Sequence, residues 1–287
     1  MRKASTNTAP GRAPAALLAC AAALLAFVPA AGAVGGFPTK GHWHPQPRTG
    51  AWQWQLQGRF RLTPGADVYD IDAFESTVGD VRAIHRHRAK AICYVDVGSW
   101  EDYRPDKGEF PKSVLGKRYE GFPDERWLDI AHFHKFASIM EDRFALCAHK
   151  RFDAVEPDNI NGWENDTGFP LTRADQLRYN RWIAGQVHRR GMAVALKNDP
   201  RQARRLVGDF DFAIVEECFQ YHECGYYKPF VAAGKAVFEA EYELAPAEFC
   251  PRAEALDFSA IRKNVELFSS PWIACDPLPE STNQGVD

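Results

Sequence analysis

The sequence predicts a single-domain α/β protein of the TIM-like (β/α)8 barrel class, and three observations carry that prediction. Short apolar or β-branched runs recur along the chain, helix-like segments separate several of them, and most runs end at their C-terminal side in carboxylates. Strands alternating with helices build a parallel sheet, and eight such strands close into a barrel whose C-terminal strand ends share one mouth.

The chain opens with Arg2, Lys3 and Arg12 ahead of an uncharged stretch that ends in Ala31, Gly32 and Ala33. This is the pattern of a secretory signal cut after Ala33, leaving residues 34–287 as the barrel domain. The cut removes three basic groups and no acid, so the formal charge moves from −3 to −6. A mildly acidic exported domain lacks the basic footprint of a nucleic-acid partner. No later run is long and apolar enough to span a bilayer. The mature chain is therefore expected to be a soluble extracellular monomer whose natural partner is cationic. Cys93, Cys147, Cys218, Cys224, Cys250 and Cys275 remain after the cut. An even set in an oxidising compartment, without paired CxxC spacing, points to disulfides rather than zinc, and the pairing stays open.

The strand candidates are, in order, "WQWQLQ" from Trp52, "ADVYDID" from Ala66, "AKAICYVDVG" from Ala89, "FDAVEPD" from Phe152, "MAVALKND" from Met192, "DFAIVEE" from Asp211 and "KAVFEAEY" from Lys235. "SSPWIACD" around Trp272 makes the eighth. The best helix is "TRADQLRYNRWIAGQVHRRG", where Thr172 and Asp175 have capping-box spacing and Gly191 supplies a stop. The strand-end acids are Asp70 and Asp72, Asp96, Glu156 and Asp158, Asp199, Glu216 and Glu217, and Glu239 and Glu241. Capping of the following helices accounts for some of them. It does not account for Glu156 and Asp158, because side-chain alternation puts Ala154, Glu156 and Asp158 on one side of their strand. With Asp158 at the mouth, Glu156 faces the interior and needs a counter-ion. Lys197, on the next strand and sharing a face with Asp199, is the expected partner, which leaves Asp158 the less neutralised acid.

Two nearby carboxylates with different tasks are the minimum apparatus of glycoside hydrolysis. Asp158 and Glu217 are the expected catalytic pair, with Glu216 an adjacent competitor. Tyr69, Tyr94, Trp100, Trp163, Phe219, Tyr221 and Tyr242 flank the strand ends and suit stacking on sugar rings, although each alone reads as a packing residue. No metal or cofactor is expected. The pair His42 and His44 precedes the first strand, while His85 with His87 and His132 with His134 lie in helix-like segments where residues two apart face different ways. No GxSxG, P-loop or strand-following GxGxxG is present. Asn165, Asp166 and Thr167 form a glycosylation sequon. Two other classes remain compatible: a metal-dependent barrel lyase or hydrolase, and a catalytically silent carbohydrate-binding barrel.

Eight segments in order, "WQWQLQG", "YDID", "ICYVDVGSWEDYRPD", "FPDERWLDI", "FDAVEPDNING", "ALKND", "EECFQYHEC" and "FEAEY", resemble glycoside hydrolase family 114, the endo-α-1,4-polygalactosaminidases. The resemblance spans Trp52 to Tyr242. It implies a TIM-like barrel, export, and cleavage within a cationic polysaccharide of α-1,4-linked galactosamine. Residue by residue it places catalysis on Asp158 of "EPDN" and on the Glu before the strand-six cysteine, matched to Glu217. A substrate-binding set of Tyr94, Asp96, Trp100, Glu156, Asn159, Lys197, Asp199, Glu239, Glu241 and Tyr242 is expected, with Asp96, Asp199, Glu239 and Glu241 lining a cleft that attracts ammonium groups.

Overall fold

A computed structural model of the protein describes residues 41–275; the signal reading lies outside the described residues. Eight parallel strands follow one another in sequence order. They are β1 (Trp52–Gln55), β2 (Val68–Asp72), β3 (Lys90–Asp96), β4 (Ala154–Asp158), β5 (Ala193–Lys197), β6 (Phe212–Glu216), β7 (Val237–Glu241) and β8 (Ser259–Lys263). A ninth, β9 (Trp272–Ala274), runs antiparallel to β8. Side chains and loops bridge the seam back to β1. Lys263 Nζ donates to Gln53 Oε1 at 2.8 Å, Leu56 N–H to Leu267 O at 3.0 Å, and Trp272 Nε1 to Trp52 O at 2.7 Å.

The eighth strand corrects the sequence reading. "SAIRK" takes the place expected for "SSPWIACD", which forms the antiparallel β9 instead. Arg262 and Lys263 interrupt the apolar pattern of β8, so its strand identity comes from pairing with β7 rather than from its own hydrophobicity.

Alternation along each strand divides the core into two shells. Trp52, Trp54, Ile92, Phe212, Ile214 and Phe238 fill the barrel. Val95, Val155, Val194, Leu196 and Val215 point outward against the helix layer. That layer comprises α1 (Val78–Arg86), α2 (Ala137–Lys150), α3 (Arg173–His188), the short α4 (Ala203–Leu206) and α5 (Lys228–Ala232), and α6 (Pro246–Ala255). Helix α3 starts where the capping-box spacing put it. Thr172 accepts from Asp175 N–H, and the Asp175 carboxylate accepts from Thr172 N–H. Its exit turn uses Gly191 at φ +75°, a left-handed conformation that suits glycine.

Between β3 and β4 the chain builds a small antiparallel sheet of Ser99–Glu101, Leu115–Tyr119 and Phe122–Leu128. It follows directly from the C-terminal end of β3 and so stands on the barrel's mouth side.

The six cysteines among the described residues are paired: Cys93 with Cys147, Cys218 with Cys224, and Cys250 with Cys275. The first ties β3 to α2 across 54 residues, the longest of the three loops. Loop-closure entropy makes it the most stabilising. Replacing both Cys93 and Cys147 by Ala is expected to lower unfolding free energy by about 2–4 kcal/mol, against a smaller loss for the Cys218, Cys224 pair, as read by urea denaturation.

Candidate active site

Three adjacent strands each end in an inward-facing polar residue: Asp158 on β4, Lys197 on β5 and Glu216 on β6. The phase is fixed below them by Ala154, Ala195 and Ile214, which belong to the barrel interior. Lys197 Nζ lies 3.0 Å from Glu156 Oε1, 3.1 Å from Asp158 Oδ1 and 3.1 Å from Glu216 Oε2. Its ammonium sits 4.7 Å from the centre of the Trp54 ring, a cation–π floor. Burial alone would lower the lysine's pKa. The charges of Asp158, Glu156 and Glu216 override it and hold the group well above its usual range, so Lys197 is charged.

Each candidate acid is gripped from two sides. Asp158 accepts from Tyr94 OH at 3.0 Å on Oδ2, and from Lys197 and the Asn159 N–H on Oδ1. Glu216 accepts from Tyr242 OH at 2.6 Å on Oε1, and from Lys197 and Asn198 Nδ2 on Oε2. Beneath them Asp70 and Glu156 are fully buried neighbours. Burial, then the charge of Glu156, pushes the Asp70 carboxyl well above its usual range. Burial raises Glu156 as well, but the charge of Lys197 works against it, so Asp70 is the member of the pair that keeps its proton the longer while Glu156 faces Lys197.

The backbone after these residues is left-handed. Asn159 has φ +60°, Asn198 φ +47°, Asp199 φ +57° and Glu217 φ +51°. Such conformations cost on the order of 1–3 kcal/mol for a non-glycine residue. Here they let the last inward side chain of each strand stay in place while the chain swings out. Gly98 supports the first of these turns, because a Cβ there would meet Asn159 O at 1.7 Å.

The second acid in the ion cluster is thus Glu216. Glu217 lies beyond the strand and turns away from Lys197, lining a cavity of about 300 Å³ with Glu164, Glu216, Tyr221 and Glu223. Burial, then the charges of Glu216, Glu241 and Glu243, raises its pKa.

Of the expected binding set, Tyr94, Glu156, Asn159, Lys197 and Tyr242 gather at this centre. The expected cleft-lining acids do not, and this is a correction: Asp96, Asp199, Glu239 and Glu241 are no more than 1% exposed. Asp96 accepts from Gly98 N–H, Ser99 N–H and Asn159 Nδ2. Asp199, flipped outward by the turn at Asn198, accepts from Trp163 Nε1 and Asn180 Nδ2 and is pushed up to about 8, chiefly by burial. Glu239 and Glu241 alternate out of phase with Phe238 and Ala240 and face the helix layer. There Glu241 accepts from Phe219 N–H and Gln220 N–H. Trp100 packs against the outer core with its Nε1 on Lys107 O.

Two residues of the inserted sheet went unnoticed in the sequence. Burial, then the charges of Asp158 and Asp96, holds the Tyr119 phenol above its usual range, which places the end of that strand beside the carboxylates. Glu125 is pushed up to about 7, chiefly by burial, and shares Ser99 Oγ with Asp96. Both lie in or beside the segment "FPDERWLDI", the one available signal.

A (β/α)8 barrel with two carboxylates held at its C-terminal mouth is the build of a glycoside hydrolase. The comparisons with known proteins agree. The profile of glycoside-hydrolase family GH114 matches residues 37–279. The chain belongs to that family. It is similar to Aspergillus fumigatus Ega3, whose structure was solved in complex with galactosamine, at 32% identity and a TM-score of 0.77 over 82% of this chain and 98% of that one. The glycoside hydrolase domain of PelA from Pseudomonas aeruginosa shares the fold at 14% identity and a TM-score of 0.63, over 78% of this chain and 98% of that one. Among curated proteins, none matches.

The Asp70 proton has a readable consequence. An ionised Asp70 would add a further negative charge beneath Lys197 and repel Glu156, disturbing the ion cluster that holds the two acids. Activity should therefore fall on the alkaline side as Asp70 ionises beside Glu156. Asp70→Asn, which keeps a donor without a titrating proton, should remove that limb from the pH–rate profile, whereas Asp70→Ala should lower activity at every pH.

Proposed function

We propose that the protein is an exported, endo-acting glycoside hydrolase that cleaves α-1,4-linked galactosamine polysaccharide, with Asp158 and Glu216 as its reacting carboxylates. The observation that carries this reading is their shared grip on Lys197. Both oxygens lie 3.1 Å from one nitrogen, so they are within about 6.2 Å of each other, twice that distance. A retaining glycosidase needs its carboxyl groups about 5–5.5 Å apart, an inverting one about 6.5–9.5 Å. The bound holds for the two oxygens that face Lys197 and takes in the retaining range, so this reading adopts retention.

Asp158 is the nucleophile and Glu216 the acid and base in this reading. Glu216 borders the open cavity from which the second-step water arrives, and its side chain is the more exposed, at 28% against 19%. Glu216 protonates the leaving oxygen while Asp158 attacks the anomeric carbon to form a glycosyl ester. Glu216 then takes a proton from water, which hydrolyses the ester.

Three carboxyl groups around one ammonium leave the centre with a formal negative excess, of two charges when all three are ionised and of one when Glu216 carries the proton it donates. A de-N-acetylated galactosamine chain, carrying an ammonium on each such unit, complements that excess; a neutral or anionic glycan gains nothing comparable. The galactosamine bound to Ega3 supports the same sugar. The disulfides support an oxidising, extracellular setting.

Product release from partially de-N-acetylated α-1,4-linked polymer, measured in EDTA, tests the assignment. Asp158→Asn and Glu216→Gln should each lower turnover by roughly 10²–10⁴-fold, while Glu217→Gln keeps most of it. Activity that survives Glu216→Gln and vanishes in Glu217→Gln would return the second role to Glu217.

A further inference from the structure

We propose that His42, His44, His188 and Asp211 form a binding site for a divalent transition metal of the zinc class, at the end of the barrel opposite the carboxylates. Three imidazoles converge on one carboxylate. His42 Nε2 lies 3.0 Å and His44 Nδ1 3.3 Å from Asp211 Oδ1, and His188 Nε2 lies 2.8 Å from Asp211 Oδ2. Neutral imidazole with one carboxylate is a donor set that suits zinc, and tetrahedral bonds of about 2.0–2.1 Å place neighbouring ligand atoms roughly 3.3 Å apart. The spacings of His42 and His44 from Oδ1 are close to that edge, and these three groups lie within reach of one ion; His188, on Oδ2, joins as the fourth ligand by a turn of its ring or of the carboxylate.

The surroundings fit a metal as well. Asp211 is itself buried and is fixed by the Val194 N–H at 2.9 Å, the kind of outer contact that orients a ligand. The His42 and His188 rings stack at 4.6 Å between centroids. The histidine side chains are 25%, 57% and 31% exposed in chain order, which gives an ion a route in and room for water as a further ligand.

The ligands come from three distant parts of the chain: the segment before β1, the end of α3, and the residue that enters β6. That first segment already lies against the barrel floor. Trp43 packs on Phe212 at 5.6 Å, and Ala236 N–H donates to Pro45 O. A metal here clips the segment in place and closes long loops, where cross-links stabilise most. Asp211 and Glu216 sit at opposite ends of β6, roughly 16 Å apart at the strand rise, so the site is independent of the glycosidase reading.

The test is zinc titration of purified, tag-free protein after EDTA treatment and dialysis, by calorimetry and thermal melting. One zinc per chain is expected, with Tm rising as zinc is added. His42→Ala and His188→Ala should each weaken binding at least about tenfold, the scale that even residues behind a ligand command, and should abolish the Tm rise. His44→Ala, at the most exposed ligand, repeats the measurement should either variant fold poorly. Absence of zinc binding, or binding unchanged in these variants, would overturn the site.

Discussion

The active-site end of this barrel depends on one buried ammonium. Without Lys197 three carboxylates would crowd one dry space, and without the carboxylates the ammonium would be a costly interior charge. Held together they fix one another. Trp54 supplies a floor, and Asp70 contributes a proton rather than another negative charge. Tyr94 and Tyr242 hold the outer oxygens of Asp158 and Glu216. The separation of the two acids is thus set by a shared cation and two phenols on rigid strands.

The backbone answers to the same requirement. Left-handed residues follow Asp158, Lys197 and Glu216, and Gly98 lets the β3 and β4 ends approach closely. The loop after Glu216 is closed by the Cys218–Cys224 disulfide and by Glu241, which accepts two of its amides from behind. Strained turns at adjacent strand ends persist only where their surroundings over-determine them.

Much of this was legible in the sequence because strand alternation is a strict period. It placed Glu156 inward, chose Lys197 as its partner, and set Asp158 at the mouth; the Thr172 capping box marked the start of α3. The period gave no help where it needs an origin. "VFEAEY" alternates equally well in either phase, and only Phe238 in the barrel core shows that Glu239 and Glu241 face the helices. "VEEC" has the same ambiguity, settled by Ile214 pointing inward. Asp199 escaped because the left-handed turn at Asn198 breaks the alternation, and β8 because pairing rather than pattern makes it a strand. The convergence of His42, His44 and His188 on Asp211 depends on the closed barrel, which no local spacing encodes.

The central claim is that Lys197 holds Asp158 and Glu216 at the distance of a nucleophile and an acid, and product stereochemistry tests it most directly. Proton NMR of the first reducing ends released from the α-linked polymer, recorded before mutarotation, should show the α anomer. Release of the β anomer would mean inversion by a more widely spaced pair, and would contradict the arrangement around Lys197.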